Sequence, residues 1–361
     1  MRVGISATTV ISQLRFPLIV LVVCAHHYSS VDAGYNLLTS GWDTYACVRI
    51  LVGQTLVKVA MPLFFMFAGY LFFLNVETLT ANIYWQKLRR RMHTLLLPYI
   101  IWNAIAALQA ISHHRLTLDE LSPAVFWNFY SVAGQQTDWT GHVNTLTAPI
   151  DMPLWFLRDL MVVSLLSPVV YWTIRRLGIP WLALLTVVYL SGIAAFEPGL
   201  SAYAVYFFSL GAYLSIGRHD PVAVACRLQW PAAAISLLLA TAMLFTYGWP
   251  VFSSLMLAFR LTGAITVFAL AVRLLQHIDR QLPELVVRST YFIFLAHFVF
   301  TLPQTDALLF SLLGHSTAGL TAHYLVCPLL KCTVFCTLYA IYRRLKSLIF
   351  DTIFGVSEKS H

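Results

Sequence analysis

The chain has 361 residues, 59% of them hydrophobic and 11% charged, against roughly 25% charged in an ordinary soluble domain. Such an apolar composition along the whole length excludes the soluble globular classes and places the chain in lipid. A formal charge of +8 would suit a nucleic-acid binder, but membrane proteins also gather Lys and Arg on one side of the bilayer, so the positions of the charges decide.

In chain order, apolar windows of about 17 to 25 residues, enough to cross a bilayer core, fall at roughly 11–29, 53–75, 94–112, 154–174, 180–196, 200–217, 230–248, 254–275, 287–303 and 322–345. They predict an all-α, polytopic membrane protein of about ten transmembrane helices in one bundle, a single domain over 1–361. The first window is no cleaved signal: Val23 rather than a small residue precedes Cys24, and nine further apolar segments follow. Pro98, Pro153, Pro180 and Pro231 stand where helices start. Phe196-Glu197-Pro198-Gly199 reads as a turn between antiparallel neighbours.

With the N-terminus inside, sixteen Lys and Arg residues fall on the inward side, from Arg2 and the run Lys87, Arg89, Arg90, Arg91 to Lys346 and Lys359. Only Arg49 and Arg115 fall outward, and Arg15, Lys58, Arg158, Arg260 and Lys331 lie within spans. This positive-inside bias predicts that both termini are cytoplasmic. The net charge is thereby topological, and no nucleic-acid partner is expected.

One long extramembrane piece remains, at about 113–152 on the outer face. Thr117-Leu118-Asp119-Glu120 fits a capping box, with Pro123 in the first turns of a short helix. Trp127, Tyr130, Trp139 and Gln135-Gln136 would stack on and hydrogen-bond a sugar, or else lie at the interface where Trp and Tyr gather.

Ionisable groups inside spans carry the functional signal, because lipid makes them costly. In a helix the eleven-residue step from Arg15 to His26 is close to three turns, so the two face one way roughly 16 Å apart. Imidazole can take and return a proton near neutral pH, as activation of a hydroxyl requires, and Arg15 can hold an anion or polarise a carbonyl. The bland reading is an interhelical hydrogen-bonder and an arginine that snorkels to the headgroups. Lys58 opens the second span, the basic run Lys87–Arg91 precedes the third, Arg158 and Asp159 follow Trp155 in the fourth, and His297 ends the ninth. Adjacent helical residues diverge by about 100°, so Arg158 and Asp159 are each expected to find a partner on another helix. Together these groups imply a polar cavity inside the bundle. The basic run would pair with lipid phosphates or with those of a soluble anionic donor. The six cysteines show no CxxC or His-x-x-His spacing and read as small buried hydrophobes, so neither a metal site nor a disulfide is expected.

The ordered set Arg15-x10-His26, Met61-Pro62-Leu63-Phe64-Phe65-Met66-Phe67-Ala68-Gly69-Tyr70-Leu71, the basic run leading to Leu97-Pro98-Tyr99, Leu154-Trp155-Phe156-Leu157 and Ser289–His297 resembles the membrane-bound acyltransferase 3 family. The resemblance spans about 15 to 300. It implies a bacterial inner-membrane O-acyltransferase, acetyl being the expected group, that moves an acyl chain from cytoplasmic acyl-CoA to a hydroxyl of a cell-surface or lipid-linked carbohydrate. His26 would be the catalytic base or acyl relay and Arg15 its partner. Lys87, Arg89, Arg90 and Arg91 would bind acyl-CoA, and Lys58, Trp155, Arg158, Asp159 and His297 would line the pocket. Acyl-CoA enters as co-substrate, with no resident cofactor. The family often carries Arg-x-x-Arg where this chain has Arg91-x-x-Thr94, and Ser-Gly where it has Ala68-Gly69. The residues alone leave a second class open, a transporter or flippase for a lipid-linked or acylated glycan.

Overall fold

The computed structural model describes residues 5–27, 43–132, 136–137, 143–144, 148–192, 195–197, 199–278 and 280–345. Arg2, Gln135, Trp139, Pro198, Lys346 and Lys359 lie outside the described residues, as do the side chains of Tyr130 and Gln136. The helices run α1 (Ala7–Ala25), α2 (Thr44–Val48), α3 (Ala60–Phe73), α4 (Ala81–Ser112), α5 (Pro123–Val132), α6 (Trp155–Leu165) and α7 (Ser167–Leu177). They continue with α8 (Ile179–Leu190), α9 (Ala202–Ile216), α10 (Pro221–Thr246), α11 (Pro250–His277), α12 (Glu284–Ala296), α13 (Pro303–Leu313) and α14 (Thr317–Leu345). Among the described residues, strand is confined to two short antiparallel ladders, β1 (Gln136–Thr137) with β2 (Val143–Asn144) and β3 (Ala195–Glu197) with β4 (Leu200–Ser201). The all-α class expected from the sequence holds.

Among the described residues, six helices are long and apolar enough to cross a membrane: Ala7–Ala25, Thr44–Phe73, Ala81–Ser112, Pro221–Thr246, Pro250–His277 and Thr317–Arg344. A seventh span results if Met152–Leu165 and Ser167–Leu177, bent by 61°, count as one. The ten apolar windows are thus not ten such helices. Ile179–Leu190 and Ala202–Ile216 are apolar but short, and α12 holds 13 residues.

The bend in the fourth window has a covalent cause. Pro168 has no N–H for the Ser164 carbonyl and its ring crowds the preceding turn, so the helix breaks at Leu166 and restarts with the proline in its first turn. Proline also shapes the second window. There the helix starts at Thr44, where Asp43 Oδ1 accepts from the Ala46 N–H at 2.7 Å, well before the expected 53. It widens to a π-helix over Arg49–Thr55 and tightens to 3₁₀ over Leu56–Val59 before α3. Pro62 cannot donate to the Lys58 carbonyl, which frees that last turn from α geometry. Arg49, expected in an outward connection, therefore sits inside helix, buried, its guanidinium 4.6 Å from the centre of the Tyr324 ring.

The chain divides into two compact units. One comprises Met1–Ala60 and Val222–Leu345. In it α1 packs on α11, α12 and α14, burying Val10, Leu18 and Ile19 with Ile293, Leu295 and Ala296. Gln13 fixes α1 further by accepting the Leu282 N–H at 2.7 Å.

The other unit is built on Met61–Pro221. Here α4 packs on α6, and α9 packs on α7 and α8. Gly69 of α3 and Gly211 of α9 face one another's backbones: a Cβ on Gly69 would stand 2.1 Å from the Phe208 carbonyl oxygen, and one on Gly211 1.9 Å from that of Met66. Lipid supplies no hydrophobic drive between helices, so small residues that admit close backbone approach hold them together.

In the same unit the segment after α4 is tied back to that helix. Leu116, Val125, Ile150 and Ala107 form a small core of their own. The Asp151 N–H donates to Asn103 Oδ1 at 3.1 Å, and Asn103 Nδ2 to the Tyr99 carbonyl at 2.8 Å. Thr117 donates through N–H and Oγ1 to Glu120 Oε2 at 2.8 and 3.0 Å, as a capping box would. The helix, however, begins at Pro123, so Thr117 and Glu120 close a turn ahead of it.

Candidate active site

The end of α1 sets the geometry. His26 is the C-cap, its N–H bonded to the Val22 carbonyl at 3.2 Å, and the His27 N–H reaches Cys24 at 3.3 Å. This tight last turn sends the two imidazoles apart. The His26 ring lies 5.4 Å from that of His297 and 5.6 Å, edge-on, from Phe298. The His27 ring lies 5.3 Å from His323 instead.

His297 caps α12, with Nδ1 2.8 Å from the Phe294 carbonyl and 3.2 Å from that of Ile293. Two carbonyl acceptors place the proton on Nδ1 and leave Nε2 with a lone pair. That Nε2 is buried and has no hydrogen-bond partner. His26 is half-buried, and its ring nitrogens make no hydrogen bond among the described residues. Lys58, half-buried in the 3₁₀ turn, is close enough for its charge to act on His26, and Arg260 of α11 is close enough to act on Lys58. Arg15 stands three turns before His26 on the same helix, half-buried and without an ion pair among the described residues.

Two imidazoles with free nitrogens, one of them within range of the Lys58 charge, form a group able to accept a proton and to offset a negative charge. A family model described as an acyltransferase domain matches residues 10–343. The chain belongs to the acyltransferase 3 family. The succinoglycan biosynthesis protein ExoH of Rhizobium meliloti (strain 1021) is 28% identical over 210 residues, covering 55% of this chain and 53% of that protein. The chain thus spans about half the length of this curated relative. No solved structure matches it.

In this family member, four of the expected site residues, Arg15, His26, Lys58 and His297, belong to the first unit, and three of them converge. The others belong to the second. There Arg89 and Arg90 are exposed and border an open hollow of about 570 Å³ with Trp85, Gln86 and His93. Arg91 turns away from it, donating to the Ala68 carbonyl at 2.7 Å and to Ser164 Oγ at 3.3 Å, with its guanidinium 5.0 Å from the Phe72 ring centre. The Lys87 ammonium lies 5.8 Å from the same ring. Trp155 joins an aromatic cluster, 6.1 Å from both Phe65 and Tyr203.

Arg158 and Asp159 pair with each other, and each also has a partner on another element, Arg158 on α5 and Asp159 at Ser201 before α9. Nε and Nη2 of Arg158 donate to Asp159 Oδ1 at 3.0 and 2.9 Å, and both residues are buried. The backbone angle between neighbours is real, but an arginine stem is long enough to fold back across it. Arg158 Nη1 also donates to the Trp127 carbonyl at 2.6 Å, so the pair fixes α5 to α6.

Phe298 borders His26, and Arg260 lies within range of Lys58, though neither is among the expected site residues. Arg260 carried a signal, as a basic residue in an apolar window; Phe298 carried none.

Proposed function

We propose that this protein is a membrane O-acyltransferase that moves an acyl group, acetyl in the first instance, from cytoplasmic acyl-CoA to a hydroxyl of a cell-surface or lipid-linked carbohydrate in the bacterial inner membrane. The observation that carries this reading is the His26–His297 pair beside Lys58, in a chain whose family is that of acyltransferases. The name of ExoH, a succinoglycan biosynthesis protein, supports a polysaccharide acceptor.

In the reaction, His26 takes the proton of the acceptor hydroxyl as its oxygen attacks the thioester carbonyl. The carbonyl oxygen gains negative charge, which Lys58 offsets; Arg15, three turns away along α1, is left to hold a more distant part of the donor. The carbon–sulfur bond then breaks, the ester remains on the sugar, and the proton passes from His26 to the departing CoA sulfur. His297 neighbours His26 and keeps its own proton on Nδ1, so its Nε2 is free to hold the transferring proton. Arg89 and Arg90 supply an exposed cationic surface for the phosphates of the donor.

The test is transfer of label from acetyl-CoA to glycan in inverted vesicles. His26→Ala should insert normally and transfer at least about 10²-fold more slowly. Transfer at near wild-type rate by that variant would remove His26 from the mechanism. Movement of glycan across the vesicle without consumption of acyl-CoA would replace the enzyme with a transporter.

A further inference from the structure

A second cluster of chemically able side chains lies beside the first, and the proposed reaction uses none of it. His27 follows α1, Asp306 lies on the first turn of α13, and His323 and Cys327 stand four residues apart on one face of α14. One ligand atom from each of the four comes within 4.8 Å of all the others. His27, His323 and Cys327 are nearly inaccessible, and Asp306 is largely covered. The Nε2 atoms of His27 and His323 are both buried with no hydrogen-bond partner.

Asp306 Oδ1 is the hub. It lies 3.3 Å from His323 Nε2, 3.4 Å from Cys327 Sγ and 3.8 Å from His27 Nε2. A tetrahedral ion with bonds of about 2.0–2.3 Å separates its ligands by roughly 3.3–3.8 Å. The spacing around Oδ1 matches that edge length. Hydrogen bonding alone explains the cluster poorly, since one carboxylate oxygen would have to accept from two imidazoles and a thiol. Protonating both histidines is worse, because with Lys331 three buried cations would then face one carboxylate.

We propose that His27, Asp306, His323 and Cys327 bind one divalent transition metal ion, with Zn²⁺ as the matching ion. Two nitrogens, a thiolate and a carboxylate form a borderline-soft, four-coordinate set of the kind zinc takes. Thiolate and carboxylate balance the two charges of the ion, and the thiol proton leaves to solvent as the metal binds. Lys331 fits as an outer partner: its Nζ already donates to Asp306 Oδ2 at 2.8 Å, the oxygen the ion does not need. Nζ also lies 3.4 Å from His27 Nδ1, so ligation through Nε2 requires the lysine to lean wholly towards Asp306. With every position taken by protein, the ion is a staple between the end of α1, α13 and α14, not a centre that activates water. The expectation of no metal rested on CxxC and His-x-x-His spacings, and it passed over His323-x3-Cys327.

Co²⁺ titration of the full-length protein, stripped with chelator in detergent, tests this. One equivalent should bind with tetrahedral d–d bands and a thiolate-to-cobalt charge-transfer band. Zn²⁺ should displace it and raise the melting temperature of the stripped protein. Cys327→Ser should lose the charge-transfer band and bind at least 10-fold more weakly, while Cys332→Ser keeps both. The wild-type titration is decisive without either variant: no stoichiometric uptake, or an octahedral spectrum lacking the sulfur band, overturns the site. A band that survives in Cys327→Ser overturns it equally.

Discussion

The ring of His297 lies 5.4 Å from that of His26, and the α12 carbonyls of Phe294 and Ile293 hold its tautomer. In the proposed reaction, the residue that takes the acceptor proton and the one able to hold it next therefore come from different helices of one unit. His26→Ala should lower the transfer rate about 10²–10⁴-fold. His297→Ala should lower it about 10-fold, or ~1.4 kcal/mol on the barrier, with thermal stability nearly unchanged. Initial rates beside melting curves of the same preparations check both.

Arg89 and Arg90 face the open hollow, and Arg91 is bonded inward. The three arginines should therefore separate by phenotype. Arg89→Ala and Arg90→Ala should each raise the KM for acyl-CoA about 3- to 10-fold, the loss of one charge-assisted contact, and more so at low salt. Arg91→Ala should instead lower the melting temperature, since it strands the Ala68 carbonyl and Ser164. Equal effects of all three on KM would contradict the assignment.

The buried Arg158–Asp159 pair makes single and double substitutions diverge. Arg158→Met leaves a buried carboxylate with its main partner gone and should cost about 3–5 kcal/mol. Joining Asp159→Leu to it should recover most of that loss. Unfolding of the single and double variants, followed by near-ultraviolet circular dichroism, measures the difference.

Asp151 is buried with both carboxylate oxygens lacking a hydrogen-bond partner, and burial pushes its carboxyl well above the usual range. Below that range the acid is neutral in folded and unfolded chains, and its titration costs nothing. As pH rises, the unfolded chain ionises first, so stability falls until the raised value is reached. Asp151→Asn should be more stable than the wild type at pH 7 and flatten the fall in stability as pH rises above the ordinary carboxylate range. Melting temperatures of both proteins over that rise in pH check the sign.

Gly69 and Gly211 admit no side chain without moving backbone. Gly69→Ala and Gly211→Ala should each cost about 1–3 kcal/mol, as overpacking does, and lower the yield of folded protein. Gly192→Ala meets open space and strains only a φ of +82°. It should cost about 1 kcal/mol.

The path from residues to site was legible where local chemistry decides. Arg15 and His26 declared themselves because lipid makes a charge and a titratable ring conspicuous at one helical spacing. His297 followed from a motif. What stayed hidden depends on contacts between distant positions or on side-chain reach. His27 and His323 are almost 300 residues apart, and nothing near either announces the other. Arg158 and Asp159 were separated by a backbone angle that side-chain length overrides. Pro62 and Pro168 were visible, but a proline shows that a helix will yield without showing how. The π and 3₁₀ turns around Lys58 and the 61° bend at Leu166 are two different answers.

The close backbone approach of Gly69 and Gly211 also has a consequence in time. About 140 residues separate the two glycines, so at roughly 5–20 residues per second α3 leaves the ribosome some 7 to 30 s before α9. Throughout that wait the flat strip around Gly69 lacks the helix that will cover it, and lipid chains or the insertion machinery must occupy its place. A nascent chain arrested before α9 emerges is thus the species most exposed to wrong pairing, and its vulnerability is set by synthesis speed rather than by the stability of the finished protein.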